Sequence, residues 1–260
     1  MRCKKCNAKL AEHDLWCVSC GAQSPIVKTE LSAIKSLKNT RHNLKNKISE
    51  LVPATGFCII LGIIPIAMLA WMFHNYIHTD GTLQLLLSMI VKCVLYSIFL
   101  PFIFLPFSVI SSSSNYELKF KDLIHNLHAY FRYFVFGLLN ALYFMFIYII
   151  CFGLPGFASD PILRLVWVVL VNYWFAVMLP APVLMERLKV NPFKAIKLSY
   201  CHFHDLRWNI YLLVILLIIL NFVSFFALIF PLLFSLPLSF FAIRDYVIKL
   251  EQYELLEYRI

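Results

Sequence analysis

Residues 53–73 read PATGFCIILGIIPIAMLAWMF, without one charged side chain. As an α-helix this run is about 31 Å long, the thickness of a bilayer's hydrocarbon core. Pro53 stands at its first turn, where a helix tolerates proline best. Comparable apolar stretches follow within Leu85–Ile110, from about Tyr133 to Leu154, and from Ile162 to Met185. The block Trp208–Ile243 is too long for one span and long enough for two, with a tight reversal near Ser224–Pro231. The expectation is an all-α integral membrane protein of six transmembrane helices.

Composition agrees. Of 260 residues, 61% are apolar, 16% aromatic and 14% charged, against about 25% charged in an ordinary soluble domain. The mean hydropathy is +0.78. These values exclude a soluble globular domain, a disordered chain and a secreted disulfide scaffold. The first twenty residues hold Lys4, Lys5, Lys9, Glu12 and Asp14 and no apolar core, so the chain is expected to begin as a soluble segment rather than a secretory signal.

The net charge of +9 raises the question of nucleic acid, but the basic residues follow topology instead. Of the 23 Lys and Arg, only Arg164 falls in an external loop and only Lys92 within or beside a span, if both termini are inside. The remainder flank the internal ends. This is the positive-inside pattern of an N-in, C-in protein of a bacterial cytoplasmic membrane. Five spans would put Arg244, Lys249 and Arg259 outside.

Cys58, Cys93, Cys151 and Cys201 lie in or beside apolar stretches and read as small packing residues. The other four form Cys3-x-x-Cys6, ten intervening residues, then Cys17-x-x-Cys20-Gly21. Each Cys-x-x-Cys is a knuckle that aims two thiolates at one metal, and two knuckles complete a tetrahedral site for one structural Zn²⁺. Gly21 suits the turn of the second knuckle, whereas Asn7 occupies that place in the first. Two disulfides are the alternative and need an oxidising compartment. Residues 1–24 are too few to build a core, so metal would supply most of the folding free energy. The segment resembles the minimal zinc ribbon at the N-terminus of many bacterial membrane proteins, which implies a metal rather than an activity.

Residues 25–52 place Leu31, Ile34, Leu37, Leu44, Ile48 and Leu51 at helical spacing among six Lys and Arg. This predicts a basic amphipathic linker helix, lying on anionic lipid headgroups or packed on the membrane domain, residues 53–260. Two further amphipathic elbow helices are expected on the cytoplasmic side. One carries Phe120, Leu123, Ile124, Leu127 and Phe131. The other, opened by Asn191-Pro192, carries Phe193, Ile196, Tyr200 and Phe203. A shift of 73 residues lays Phe120-Lys121 on Phe193-Lys194 and Leu127 on Tyr200. An internal repeat and a chance match of two amphipathic helices explain this equally well.

Pro192-Phe193-x-Ala195-Ile196-x-x-Ser199, followed by Trp208 before a long apolar span, resembles the loop of bacterial polytopic families related to the membrane domain of glycerophosphoryl diester phosphodiesterases, including YciC-like proteins. The likeness covers about 30 residues. It implies a helical inner-membrane protein with a role in membrane homeostasis, without the phosphodiesterase chemistry of a soluble catalytic domain that this sequence does not contain.

No Asp or Glu lies inside a drawn span, which argues against a carboxylate proton relay. Lys92 either sits in the second span or snorkels to its edge. Asn140, Asn172 and Asn221 suit interhelical hydrogen bonds, and Pro65, Pro101, Pro106, Pro180, Pro182, Pro231 and Pro237 would kink or interrupt spans. His125 and His128 on one elbow, with Cys201, His204 and Asp205 on the other, would form a polar cluster if the elbows met. There is no Gly-rich phosphate loop, His-Glu-x-x-His helix or serine nucleophile motif. No catalytic residue is assigned. The leading expectation is a non-enzymatic adaptor or sensor whose ribbon docks a cytoplasmic protein. A lipid or small-molecule transporter using the broken spans and Lys92 comes next, and a lipid-modifying enzyme using the histidine elbows third. Rows of Phe, Leu and Ile suit lipid or a second copy of the chain alike, which leaves homo-oligomerisation open.

Overall fold

The computed structural model describes residues 2–3, 5–11, 17–22, 32–45, 47–76, 82–112, 127–152, 161–227 and 231–252. Beyond the isolated bridge Arg2↔Lys9, the described regular structure is helical. Four stretches are long and apolar enough to cross a membrane: Ser49–Phe73, Leu87–Ser111, His128–Phe152 and Pro161–Arg187. A fifth apolar helix, Ile210–Phe226, is shorter. The chain divides into two compact units, Ile48–Ile196 and Met1–Lys47 with Lys197–Ile260.

In the unit Ile48–Ile196, the first span is not one regular helix. Helix α1 (Ile48–Cys58) passes through a π turn at Ile59–Ile63 into α2 (Ile64–Tyr76). Pro65 supplies the reason: in an α-helix its ring would press on the carbonyl four residues back and its nitrogen would donate nothing. Widening the preceding turn, with Ile64 N–H donating to Ile59 O, makes room. Gly62 in that turn lies against Ile103, whose Cγ1 would be 2.8 Å from an added Cβ.

The second span is α3 (Thr82–Phe99) and α4 (Pro101–Ser112), separated at Leu100. Pro101 removes a backbone donor there, and Tyr130, from the third span α5 (Leu127–Phe152), donates its hydroxyl to Ile98 O at 2.9 Å. The fourth is α6 (Pro161–Met178) and α7 (Ala181–Arg187), broken at Leu179-Pro180. Half of the second span is buried against about a fifth of each of the other three, so it is the central element of this unit. Gly137 lets α5 approach it: an added Cβ would lie 2.9 Å from Leu100 Cδ2 and 3.3 Å from Ser97 Cα. Elsewhere Leu165, Phe146 and Trp71 stand exposed, as lipid-facing side chains must.

Asn140 and Asn221 behave as their place in apolar helices requires. Trp174 Nε1 donates to Asn140 Oδ1 at 2.7 Å, tying α6 to α5, and the Tyr143 ring stacks on Trp174 at 3.6 Å. At the ends of these spans Ser111 donates to Glu186, and Arg132 Nη1 donates to Met185 O at 3.4 Å. The fourth span thus runs through Glu186, a carboxylate that the sequence boundary at Met185 leaves out.

The other unit contains α8 (Ala33–Leu44), α10 (Leu232–Gln252) and, from Lys197 onward, α9 (Pro192–Phe226). The second expected elbow is no separate helix: α9 runs unbroken from Pro192 because no Gly or Pro interrupts Phe193–Phe226. Phe193 and Tyr200 are exposed, in keeping with an interfacial face. Most of the first elbow, residues 113–126, lies outside the described residues. Asn221 Nδ2 donates to Ser239 Oγ at 2.7 Å and its Oδ1 accepts from Ser235 Oγ at 2.9 Å, linking α9 to α10.

The linker helix α8 packs on α10, by a face that shares Leu44 with the expected one but is turned away from Ile34. Ala33, Ser36, Thr40 and Leu44 are buried, while Ile34 is 63% exposed. Small side chains let two helices approach closely enough for Thr40 Oγ1 to donate to Phe241 O and for Lys249 Nζ to donate to Ser36 Oγ, both at 3.4 Å. Lys249 is also 2.7 Å from Asp245 Oδ2.

Candidate metal centre

The two Cys-x-x-Cys segments fold into equivalent knuckles. In the first, Asn7 N–H donates to Cys3 O at 2.9 Å and Cys3 N–H to Ala8 O at 2.9 Å. In the second, Gly21 N–H donates to Cys17 O at 2.8 Å and Cys17 N–H to Ala22 O at 2.8 Å. Both turns close through a left-handed residue, Gly21 at φ 66° and Asn7 at φ 58°. Asparagine is among the few side-chain-bearing residues that adopt this conformation readily, which explains how Asn7 takes the place of a glycine.

The knuckles bring four sulfurs together, all within 4.8 Å of one another. Cys3 Sγ is 3.6 Å from Cys20 Sγ, and Cys6 Sγ is 3.4 Å from Cys17 Sγ. These separations are too long for disulfides, whose sulfurs lie about 2.05 Å apart. They are close to the ~3.8 Å edge of a tetrahedron of thiolates bound to zinc. Cys3 and Cys17 are buried with Leu10, and Ala8, Cys20 and Ala22 pack against them. So small a cluster does not hold the segment by apolar burial; the donor set fits a thiophilic divalent ion, with Cys3, Cys6, Cys17 and Cys20 as its ligands.

Protonation follows the local donors. The backbone N–H groups of Cys6 and Lys5, the latter 3.4 Å from Cys3 Sγ, lower the Cys3 thiol to about 6. Cys17 is lowered as well: burial opposes it, but the Cys6 thiol and the N–H groups of Ser19 and Cys20 favour its thiolate. At Cys6 the donor at Ala8 N favours the thiolate, but the contacts with Cys20 and Cys17, burial and the contact with Cys3 together outweigh it and push the thiol up to about 12. A divalent ion at the point where the four sulfurs meet would bind them as thiolates and displace the protons they carry.

Among the described residues this is the one group of three or more metal-ligating side chains. Cys58, Cys93 and Cys151 are buried packing residues, as expected, and Cys201 is half-buried on α9. His128 is exposed at the start of α5. His125 lies outside the described residues, as do the side chains of His204 and Asp205, so the elbow cluster has no described geometry. Lys92 is half-buried on α3, its Nζ 5.0 Å from the centroid of the Phe73 ring. Neither this ring contact nor the Ser111–Glu186 hydrogen bond is signalled by any local pattern, since each joins residues far apart in the chain.

No family model matches this chain, and no curated protein or solved structure matches it.

Proposed function

We propose that this protein is a six-span adaptor of a bacterial cytoplasmic membrane, in which one structural zinc holds an N-terminal ribbon that docks a cytoplasmic protein. The convergence of four cysteine sulfurs from two equivalent knuckles carries this reading. All four coordination positions would be filled by protein, leaving none for substrate, so the metal shapes a surface rather than performing chemistry.

The helix pair α8–α10 supports the topology. Helix α8 carries Lys35, Lys38 and Arg41 and pairs with the half of α10 that carries Arg244, Asp245 and Lys249. Two segments so charged belong on the same side of a membrane, which requires an even number of spans between them. Four spans lie in Ile48–Ile196, and Ile210–Phe226 with the apolar first half of α10 supplies two more. The positive-inside rule supports a cytoplasmic location for the shared side. The resemblance to YciC-like membrane domains adds membrane homeostasis as the setting, and no catalytic residue is proposed.

The test is the full-length Cys3→Ser/Cys6→Ser variant. Elemental analysis is expected to show zinc lost, and cross-linking in intact membranes to show a stoichiometric partner lost, with the protein still inserted. Capture of the same partner by the zinc-free variant would refute the adaptor reading, as would absence of any stoichiometric partner from the wild type.

A further inference from the structure

The unit Ile48–Ile196 contains a cleft of about 720 Å³, within the roughly 300–1,000 Å³ of small-molecule sites. Helices α3 and α6 each pack on α5 without packing along one another, so α5 forms the floor between them. Gly137 and Ala141 keep that floor low. Lys92, Tyr148 and Trp167 border one end, and Phe104 and Pro182 the other. Lys92 and Phe104 are separated by about 18 Å of helix, close to the depth of one leaflet of a ~30 Å hydrocarbon core.

The lining is almost wholly apolar. Asn140, which reaches it at mid-depth, donates to Phe136 O at 2.7 Å and accepts from Trp174, so its amide is engaged within the protein. No Asp or Glu belongs to the described lining, and Lys92 is its one cationic residue. The Phe73 ring face attracts the Lys92 ammonium without accepting any of its three conventional hydrogen bonds. A slot one leaflet deep, with a single ammonium and two interfacial aromatics at its lip, complements an amphiphile with an acyl chain and one anionic head.

We propose that this cleft binds an anionic membrane lipid, its phosphate at Lys92 and an acyl chain lying along α5 between α3 and α6. The proposal is independent of the metal centre and of the adaptor reading. Free phosphate offers the same headgroup chemistry, and a neutral lipid the same chain, so the experiment separates these sources.

The full-length protein in dodecyl maltoside is mixed with equal amounts of dioleoyl phosphatidylglycerol and dioleoyl phosphatidylcholine, and retained lipids are counted by native mass spectrometry. One phosphatidylglycerol is expected to be retained in preference to phosphatidylcholine. Lys92→Gln should lower that preference about fivefold, Lys92→Arg should keep it, and Ala141→Trp, which fills the floor, should lose both lipids. An unchanged preference in a folded Lys92→Gln protein would overturn the proposal and leave Lys92 as a snorkelling side chain. Displacement of the lipid by inorganic phosphate at equal concentration would overturn it in favour of a simple anion site.

Discussion

The cysteine module at Arg2–Ala22 and the helical unit Ile48–Ile196 are held together by opposite means. The module buries Cys3, Cys17 and Leu10, too little apolar surface to order a chain, and its four sulfurs converge where a proposed shared ion would hold the geometry. The helical unit has no comparable centre among its described residues. Its spans are mostly exposed, and they are positioned by close approach at Gly62 and Gly137 and by single polar links such as Asn140 to Trp174. In water a small domain concentrates its stability at one point, whereas in lipid, where apolar burial discriminates little, many modest contacts set the arrangement.

Removing the metal should therefore separate the two regions most sharply. Structural zinc sites in small modules bind with apparent free energies of about 10–16 kcal/mol. Cys17→Ser, or a strong chelator, is expected to abolish amide-exchange protection over Arg2–Ala22 and leave the thermal unfolding of the helical unit unchanged. A parallel loss of helical stability would show that the module and the bundle are one cooperative system.

Overpacking comes next. Gly137→Leu drives a side chain into Leu100 and Ser97, and should destabilise the bundle by about 1–3 kcal/mol in detergent unfolding while zinc content stays at the wild-type value. Asn140→Leu leaves the Trp174 indole without its partner and should cost about 0.6–2 kcal/mol, as should Asn221→Leu, which releases Ser235 and Ser239. Thr40→Val should have the smallest effect, below about 1 kcal/mol, read as faster proteolysis of α8 with the bundle intact.

The class of fold could be read from Pro53–Phe73 alone, because a charge-free run of that length has one physical use. The two cysteine knuckles could be read from cysteine spacing, because a knuckle is a local structure and its four-residue pattern contains the turn geometry. Prolines marked the breaks at Leu100 and Leu179, yet Pro65 was accommodated by widening a turn rather than ending a helix. The widened turn also holds Gly62 against Ile103 of another span, a contact that lies outside any local window. Similarly, hydrophobic periodicity puts Ile34 on one linker face with Leu44 and Leu51, and the structure buries Leu44 and Leu51 but exposes Ile34 and buries Ser36 and Thr40. Periodicity measures preference for oil over water; it does not register that small hydroxyl residues let two helices touch. The elbow that opens at Pro192 continues into the apolar helix without a break, because amphipathicity changes there but helix formation does not.

The most direct test of the account is metal and thiol analysis of the intact protein released from membranes in mild detergent. One zinc per chain is expected, with Cys3, Cys6, Cys17 and Cys20 alkylated only after chelation. A metal-free protein whose four N-terminal cysteines are joined in disulfides would contradict it, and with it the assignment of this segment to the cytoplasm.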